Sequence, residues 1–159
     1  MKVQDVMTRN VHSCAPRDSL NLAAQIMWEQ DCGCVPILDT DGRPVGMLTD
    51  RDICMATYTK GLPPGEIPVS GFTTHSVITI DEQGSVEDAS RLMRDHQVRR
   101  LPVVDAAGRL TGLVSMTDLA RKARSTPEHR DGFTAERVAQ TLAAVCSPAR
   151  HNRPGSLRW

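Results

Sequence analysis

The chain predicts a mixed α/β (α+β) fold, built from two β-α-β-β-α units packed with pseudo-twofold symmetry. Two observations carry this. The segment Gly46-Met47-Leu48-Thr49-Asp50-Arg51-Asp52 returns 66 residues later as Gly112-Leu113-Val114-Ser115-Met116-Thr117-Asp118, and the same spacing relates Met27 to Met93, Pro36 to Pro102, Asp39 to Asp105 and Gly42 to Gly108. Each copy is also too short to bury a comfortable core alone, so the two must share one or pack together. Ligand sites in such paired folds commonly lie in the cleft between the halves.

The elements follow in order. Val11-His12-Ser13-Cys14 and Val77-Ile78-Thr79-Ile80 read as short opening strands. Ser19 and Ser85 are N-caps for the helices that follow. Leu20, Ala23, Ala24 and Met27 fall on one helical face, as do Val86, Ala89 and Met93 in the second copy. Ser85-Val86-Glu87-Asp88 has capping-box spacing, with Asp in the place of Glu. Next come the apolar runs Cys34–Leu38 and Arg100–Val104, whose Pro36 and Pro102 argue for strand ends rather than strand centres. Asp39-Thr40-Asp41-Gly42 and Asp105-Ala106-Ala107-Gly108 supply hairpin turns. Strands at Val45–Leu48 and Thr111–Val114 then lead into helices starting at about Asp50 and Met116.

These readings place the first repeat at residues 3–56, a linker at 57–68 with the run Lys60-Gly61-Leu62-Pro63-Pro64-Gly65, and the second repeat at 69–123. Residues 124–159 form an extension. A short helix at 134–146 puts Val138, Leu142 and Val145 on one side, and a basic tail from Ser147 carries Arg150, Arg153 and Arg158 with no acidic residue.

Bulk composition excludes several function classes. Lys plus Arg number 19, equal to Asp plus Glu at 19, so nothing global favours nucleic acid or an anionic membrane. Trp28, Trp159, Tyr58, Phe72 and Phe133 are the only aromatics, too few for base-stacking platforms. No apolar run spans a bilayer and the N-terminus lacks a signal-peptide core, which predicts a cytoplasmic protein. Five cysteines without a secreted scaffold's density read as reduced thiols, most of them buried. Cys32-Gly33-Cys34 with Cys14 and His12 offers soft ligands, but a lone Cys-x-Cys is weak, so no metal site is assigned. His75, His96, His129 and His151 show no ligand spacing and read as surface residues. A redox role for Cys34 stays open, through oxidation of its thiolate. No nucleophile-elbow, zinc-protease, P-loop or dinucleotide motif occurs, so no catalysis is expected.

The most telling segment is Gly-x-aliphatic-Thr/Ser-x-x-Asp, running from strand into helix. Thr49-x-x-Asp52 and Ser115-x-x-Asp118 have the spacing of a helix cap, which occurs in proteins of every function. The same hydroxyl and carboxylate also suit a ligand bearing a phosphate and ribose hydroxyls. Helix N–H groups take phosphate oxygens, and a carboxylate accepts from a diol. Capping and binding are compatible.

With these motifs in both copies, the sequence resembles the CBS-domain family in its tandem arrangement, the Bateman module, over about residues 3–123. His96-Gln97-Val98-Arg99-Arg100-Leu101-Pro102 and Val145-Cys146-Ser147-Pro148 are similar to small stand-alone members of the hypoxic response protein type. The resemblance implies an adenosine-containing ligand (AMP, ADP, ATP, NAD or S-adenosylmethionine) bound between the repeats, and a regulatory role. Carried over, Asp52 and Asp118 hold ribose hydroxyls, with Thr49 and Ser115 beside the phosphate or ribose. Adenine lies against Val35-Pro36 or Leu101-Pro102 and touches backbone at Asn10-Val11 or Ser76-Val77. Arg99 and Arg100 face phosphates, while the first repeat has Gly33-Cys34 there and Arg51 as partial compensation. The resemblance further implies a disc-like homodimer that signals to an unidentified downstream protein. The alternatives are a ligand-free dimeric interaction module, with the second-helix faces near Ile53, Met55 and Leu119 as its contact surface, and a redox- or metal-responsive protein acting through its cysteines.

Overall fold

The computed structural model describes residues 1–73, 77–125 and 133–147. Helix α1 spans Leu20–Glu29, strands β1 and β2 span Cys34–Leu38 and Pro44–Thr49, and helix α2 spans Asp50–Lys60. The second copy repeats this as α3 (Val86–His96), β4 (Arg100–Val104), β5 (Leu110–Ser115) and α4 (Met116–Ser125), preceded by a two-residue strand β3 at Ile80–Asp81. Helix α5, Ala135–Cys146, follows.

Local chemistry fixes these boundaries. Ser19 and Ser85 cap α1 and α3 by accepting from the N–H of Leu22 and Asp88. Asp88 departs from the expected reciprocal box: its Oδ2 takes the Ser85 hydroxyl at 2.8 Å rather than a backbone N–H. That hydroxyl and Arg91 hold the exposed Asp88 carboxyl below its ordinary pKa. The hairpin turns are nested on one carboxylate each. Asp39 Oδ1 accepts from the N–H of Asp41 and Arg43, and Asp105 Oδ1 from those of Ala107 and Arg109, all at 2.9 Å. Gly42 and Gly108 follow at φ of 78° and 79°, a region open to glycine at little cost. The two turns meet: Leu110 N donates to Gly42 O at 2.9 Å and Arg43 Nε to Ala107 O at 3.2 Å.

Two details depart from the sequence reading. Pro36 and Pro102 sit at the centres of β1 and β4, opposite Met47 and Leu113. The ladder tolerates Pro36 because its N and O face the other edge, where only its carbonyl is used, accepting from Cys14 N at 3.0 Å. The opening strands are also shorter than expected. In the first copy only Cys14 pairs, in parallel with Ile37. In the second, β3 pairs with Val103 and Val104.

The packing units do not coincide with the sequence repeats, because the leading segments are exchanged. Val3 and Met7 are buried in a core with Val86, Met93, Leu101 and Leu119 of the second copy. Ile67 and Val69 are buried with Leu20, Val35, Ile37 and Leu48 of the first. The exchange is symmetric at the level of single hydrogen bonds. Val3 N donates to Gly84 O and Val86 N to Met1 O, while Val69 N donates to Asp18 O and Leu20 N to Ile67 O. Residues 57–68 are therefore more than a spacer: α2 continues to Lys60, Gly61 closes it at φ 63°, and Ile67 is a core residue. Gly46 and Gly112 make room for the exchanged segments. A Cβ at Gly46 would stand 2.7 Å from Phe72 O, and one at Gly112 2.8 Å from Thr8 O.

Helix α5 begins at the Thr134 cap and packs on α3 and α4. Its seated face is Val138, Thr141 and Val145, whereas the expected Leu142 is 47% exposed. Thr141 is fully buried because its hydroxyl pairs with that of Ser90 at 2.6 Å.

Two outcomes follow from this packing. Gly112→Ala should lose roughly 1–3 kcal/mol of urea stability, since the new methyl would stand 2.8 Å from the Thr8 carbonyl as well as 2.7 Å from Met7 Sδ. Thr141→Val should cost about 1–3 kcal/mol by stranding the Ser90 hydroxyl, and the Ser90→Ala/Thr141→Val double variant should recover much of it in the same titration.

Candidate functional site

The two Gly-x-aliphatic-Thr/Ser-x-x-Asp segments fold identically. In each, the carboxylate Oδ2 accepts from the backbone N–H at 2.8 Å and from the hydroxyl at 2.6 Å of the capping residue, Thr49 for Asp52 and Ser115 for Asp118. The hydroxyl in turn accepts the carboxylate residue's own N–H, at 3.2 and 3.3 Å. A carboxylate offers about four acceptor sites, so a cap working through Oδ2 leaves capacity for a ligand diol.

The segment exchange brings the second of these caps against the other half of the chain. A cavity of ≈ 360 Å³ is lined by Asn10, Val11 and His12, by residues 30–34, and by Arg100, Ser115, Thr117, Asp118 and Arg121, with Thr8 and Leu113 completing the wall. Its size falls in the range of small-molecule sites, about 300–1,000 Å³. Asn10 holds φ 55°, a left-handed conformation that Asn adopts more readily than most residues. The α4 N-terminus, Arg100 and Arg121 supply positive potential, while Asp118 supplies the acceptor. Such a cavity can hold a molecule with an anionic end and a hydroxyl-bearing end.

Of the expected site residues, Asn10, Val11, Arg100, Ser115 and Asp118 converge on this cavity. Thr49, Arg51 and Asp52 stand together at the start of α2, away from it. Val77 precedes β3, and Ser76 lies outside the described residues. Val35 and Leu101 point into the two cores, at 1% and 0% exposure, and Pro36 and Pro102 are buried in the strand centres between the flanking core positions. The Arg99-Arg100 pair splits. Arg100 reaches the cavity, whereas Arg99 turns to α5 and donates to Cys146 Sγ at 3.5 Å. Arg121 carried a readable signal, because three residues after Asp118 on a helix is the same face. Within residues 30–34, Gly33 and Cys34 stood out only as the first repeat's counterparts of Arg99 and Arg100, and the crossing of the halves is what brings the stretch to this cavity.

Several other sequence expectations are corrected. Cys14 and Cys34 are buried, but Cys32, Cys54 and Cys146 are exposed. Burial pushes the Cys34 thiol above its ordinary value, against a smaller opposing pull from Arg100, which disfavours the thiolate that a redox role needs. Leu119, expected on a dimer surface, is fully buried beneath α5. His75, His129, His151 and the tail from residue 148 lie outside the described residues. Among the described residues, no helix is long and apolar enough to cross a membrane.

Two matched α/β units with a ligand-sized cleft at their crossing define a paired-repeat class of protein. Within that class the match is specific: the CBS-domain family model fits residues 3–58 and again 69–125. The chain belongs to the CBS-domain family. It is 36% identical over 145 residues to Hypoxic response protein 1 of Mycobacterium tuberculosis, covering 91% of this chain and 94% of that protein. A solved structure of Hypoxic Response Protein I with two coordinated zinc ions matches with a TM-score of 0.70 and 35% identity, covering 80% of this chain and all of that one. A structure of CBSX2 in complex with AMP matches at TM-score 0.65 and 29% identity, over 77% of this chain and 96% of that one.

One pH dependence follows from the thiols. Burial, reinforced by the Asp18 carboxylate, pushes Cys14 from 9.0 up to about 11. The folded state then keeps a proton that the unfolded chain gives up. That contribution is complete below pH 9 and is lost as pH rises through about 11. Urea stability should therefore fall more steeply over this window in the native sequence than in Cys14→Ala.

Proposed function

We propose that this protein is a regulatory sensor. It binds an adenosine-containing molecule in the cleft at Asp118 and passes the bound state to a separate partner. The observation that carries this reading is the convergence of the Ser115–Asp118 cap, the Asn10–Val11 backbone and two arginines on one cavity. In it, Asp118 accepts from the ribose hydroxyls, Ser115 and Thr117 lie at the α4 N-terminus beside the phosphate, and Arg100 and Arg121 neutralise the anion. The AMP complex of CBSX2 supports the ligand class. Since the matched cap at Asp52 lacks an arginine pair of its own, the cleft at Asp118 is the stronger of the two sites. Binding alters the partner's response only through a difference in affinity between two arrangements of the halves.

Zinc enters through a relative, Hypoxic Response Protein I. Among the described residues, no group of three or more His, Cys, Asp or Glu stands where it could hold a metal, so these residues do not fit it and no step is built on one.

The test is thermal unfolding with AMP, ADP, ATP, NAD and S-adenosylmethionine. A ligand at 100 times its dissociation constant adds about 2.7 kcal/mol. For a chain of this size that raises the midpoint by roughly 5–10 °C. Asp118→Ala should abolish the larger part of the shift and Asp52→Ala the smaller. No shift with any ligand, on protein shown to be free of copurified nucleotide, overturns the reading in favour of a ligand-free interaction module.

A further inference from the structure

The basic residues of α3 have no counterpart in the other repeat. Arg91 and Arg94 correspond, 66 residues earlier, to Gln25 and Trp28 of α1. The fold therefore does not require guanidiniums on this helix. Between α1 and α2 lies an open groove of ≈ 550 Å³ with Asp31 and Asp50 on its wall. In the second unit α5 is laid against α3 and α4 instead, and the seam it forms with α3 is basic. That seam holds a cavity of ≈ 330 Å³, walled by Arg91 and Arg94 of α3 and by Arg137 and Gln140 of α5. Phe133, which is buried, and the carboxylate of Glu87 help to complete it.

Three guanidiniums thus share one cavity with a single carboxylate on its wall. Gathered charges of one sign repel, and the described residues offset little of it. Arg91 spends Nη2 on Asp88 Oδ1 at 2.6 Å. Among the described residues, neither Arg94 nor Arg137 has an ion-pair partner. The Ser90 hydroxyl on the same wall is taken by Thr141. Polar recognition therefore falls to the arginines and the Gln140 amide. The α5 N-terminus lies at the same end of the seam, since Phe133 directly precedes its Thr134 cap, and its dipole adds positive potential. This donor set selects among anions. A carboxylate is planar, and two bidentate guanidiniums fill its acceptor sites. A phosphoryl group presents three oxygens in different directions and carries about two negative charges, so it engages forks arriving from two helices.

We infer that the α3–α5 seam is a separate anion site, which takes the phosphoryl group of a small molecule and ties α5 to α3 through Arg94 and Arg137. It shares no wall residue with the cleft at Asp118 and does not depend on the nucleotide reading. Isothermal titration calorimetry of the full chain with inorganic phosphate, ribose 5-phosphate and succinate, at constant ionic strength, tests it. Saturable binding of a phosphorylated probe is expected, with succinate at least tenfold weaker. Tighter binding of ribose 5-phosphate identifies an organic phosphate as the occupant, and tighter binding of inorganic phosphate identifies the free ion. Arg94→Gln and Arg137→Gln should each weaken binding at least tenfold, the scale of one lost charge-assisted contact. Arg94 is half-buried and Arg137 exposed, and neither is in a core, so both variants should fold. Arg100→Gln, in the other cleft, should leave this binding in place. The bound probe should also slow amide hydrogen exchange along α5 in the native chain but not in Arg137→Gln. No saturable binding of either phosphorylated probe, succinate binding as tightly, or binding untouched by Arg94→Gln and Arg137→Gln overturns the proposal. So does binding lost with Arg100→Gln alone, since the anion would then sit in the cleft at Asp118.

Discussion

The exchange of leading segments is the constraint on which the rest of this structure depends. Each half lacks part of its own core: Val3 and Met7 complete the second, and Ile67 and Val69 complete the first. Fully burying an aliphatic side chain contributes roughly 1.5–3 kcal/mol, so two such residues per unit are a large share of a small domain's margin. The exchange also forces the chain to cross between the halves right after Thr8, whose backbone exchanges hydrogen bonds with Leu113 at 2.9 Å in both directions. The first residues of that crossing are Asn10 and Val11, which line the cleft. Stability and site therefore share one device. The stretch that leaves the second core becomes a wall of the cavity beside Asp118.

The caps show a second economy. Ser115 donates its N–H and hydroxyl to Asp118 Oδ2 at 2.8 and 2.6 Å and accepts the Asp118 N–H at 3.3 Å, and this fixes the carboxylate at the cleft without a ligand. A preorganised acceptor loses little conformational freedom on binding, which favours affinity. Because the geometry at Thr49 and Asp52 matches within 0.1 Å, cap geometry does not distinguish the two sites. What surrounds them does. Arg100 comes to the cleft at Asp118 from the second unit, passing close to Gly33 of the first, where a Cβ would stand 3.8 Å from its Nη2.

Much of this was legible in the sequence because it is local. Serine caps, aspartate turns with Gly42 and Gly108, and the hydroxyl–carboxylate pairs are set within four residues of chain, and both copies repeat them. The crossing was not legible. Periodicity reports which face of a helix is buried but not against which unit, so Val3 and Val69 read as parts of the repeats that follow them in the chain. The same blindness hid residues 30–34 from the site and placed Leu142 rather than Thr141 on the seated face of α5. A threonine at a core position reads as polar until its partner hydroxyl, 51 residues away, is known.

A duplicated scaffold gives two of everything, and function then depends on where the copies stop matching. Several such departures in this chain lie on the rim of a cavity. Gly33 and Cys34 face Arg99 and Arg100 across the repeat, Asp31 faces Gln97, and Trp28 faces Arg94, while Leu20 and Val86, Ala23 and Ala89, and Met27 and Met93 remain apolar and buried. Cores tolerate volume-conserving change best, and these positions keep to it. The rims are freer, and there the two halves have parted: one helix groove carries donors and is filled by α5, while the other carries carboxylates and stands open. Arg100 lies where these asymmetries meet. It lines the cleft at Asp118, approaches Gly33 and lowers the thiol pKa of Cys34 against the effect of burial. Gly33 in turn lies beside Asp50 on the wall of the open groove. Gly33 therefore stands between the guanidinium that lines the cleft and the carboxylate on the edge of the groove.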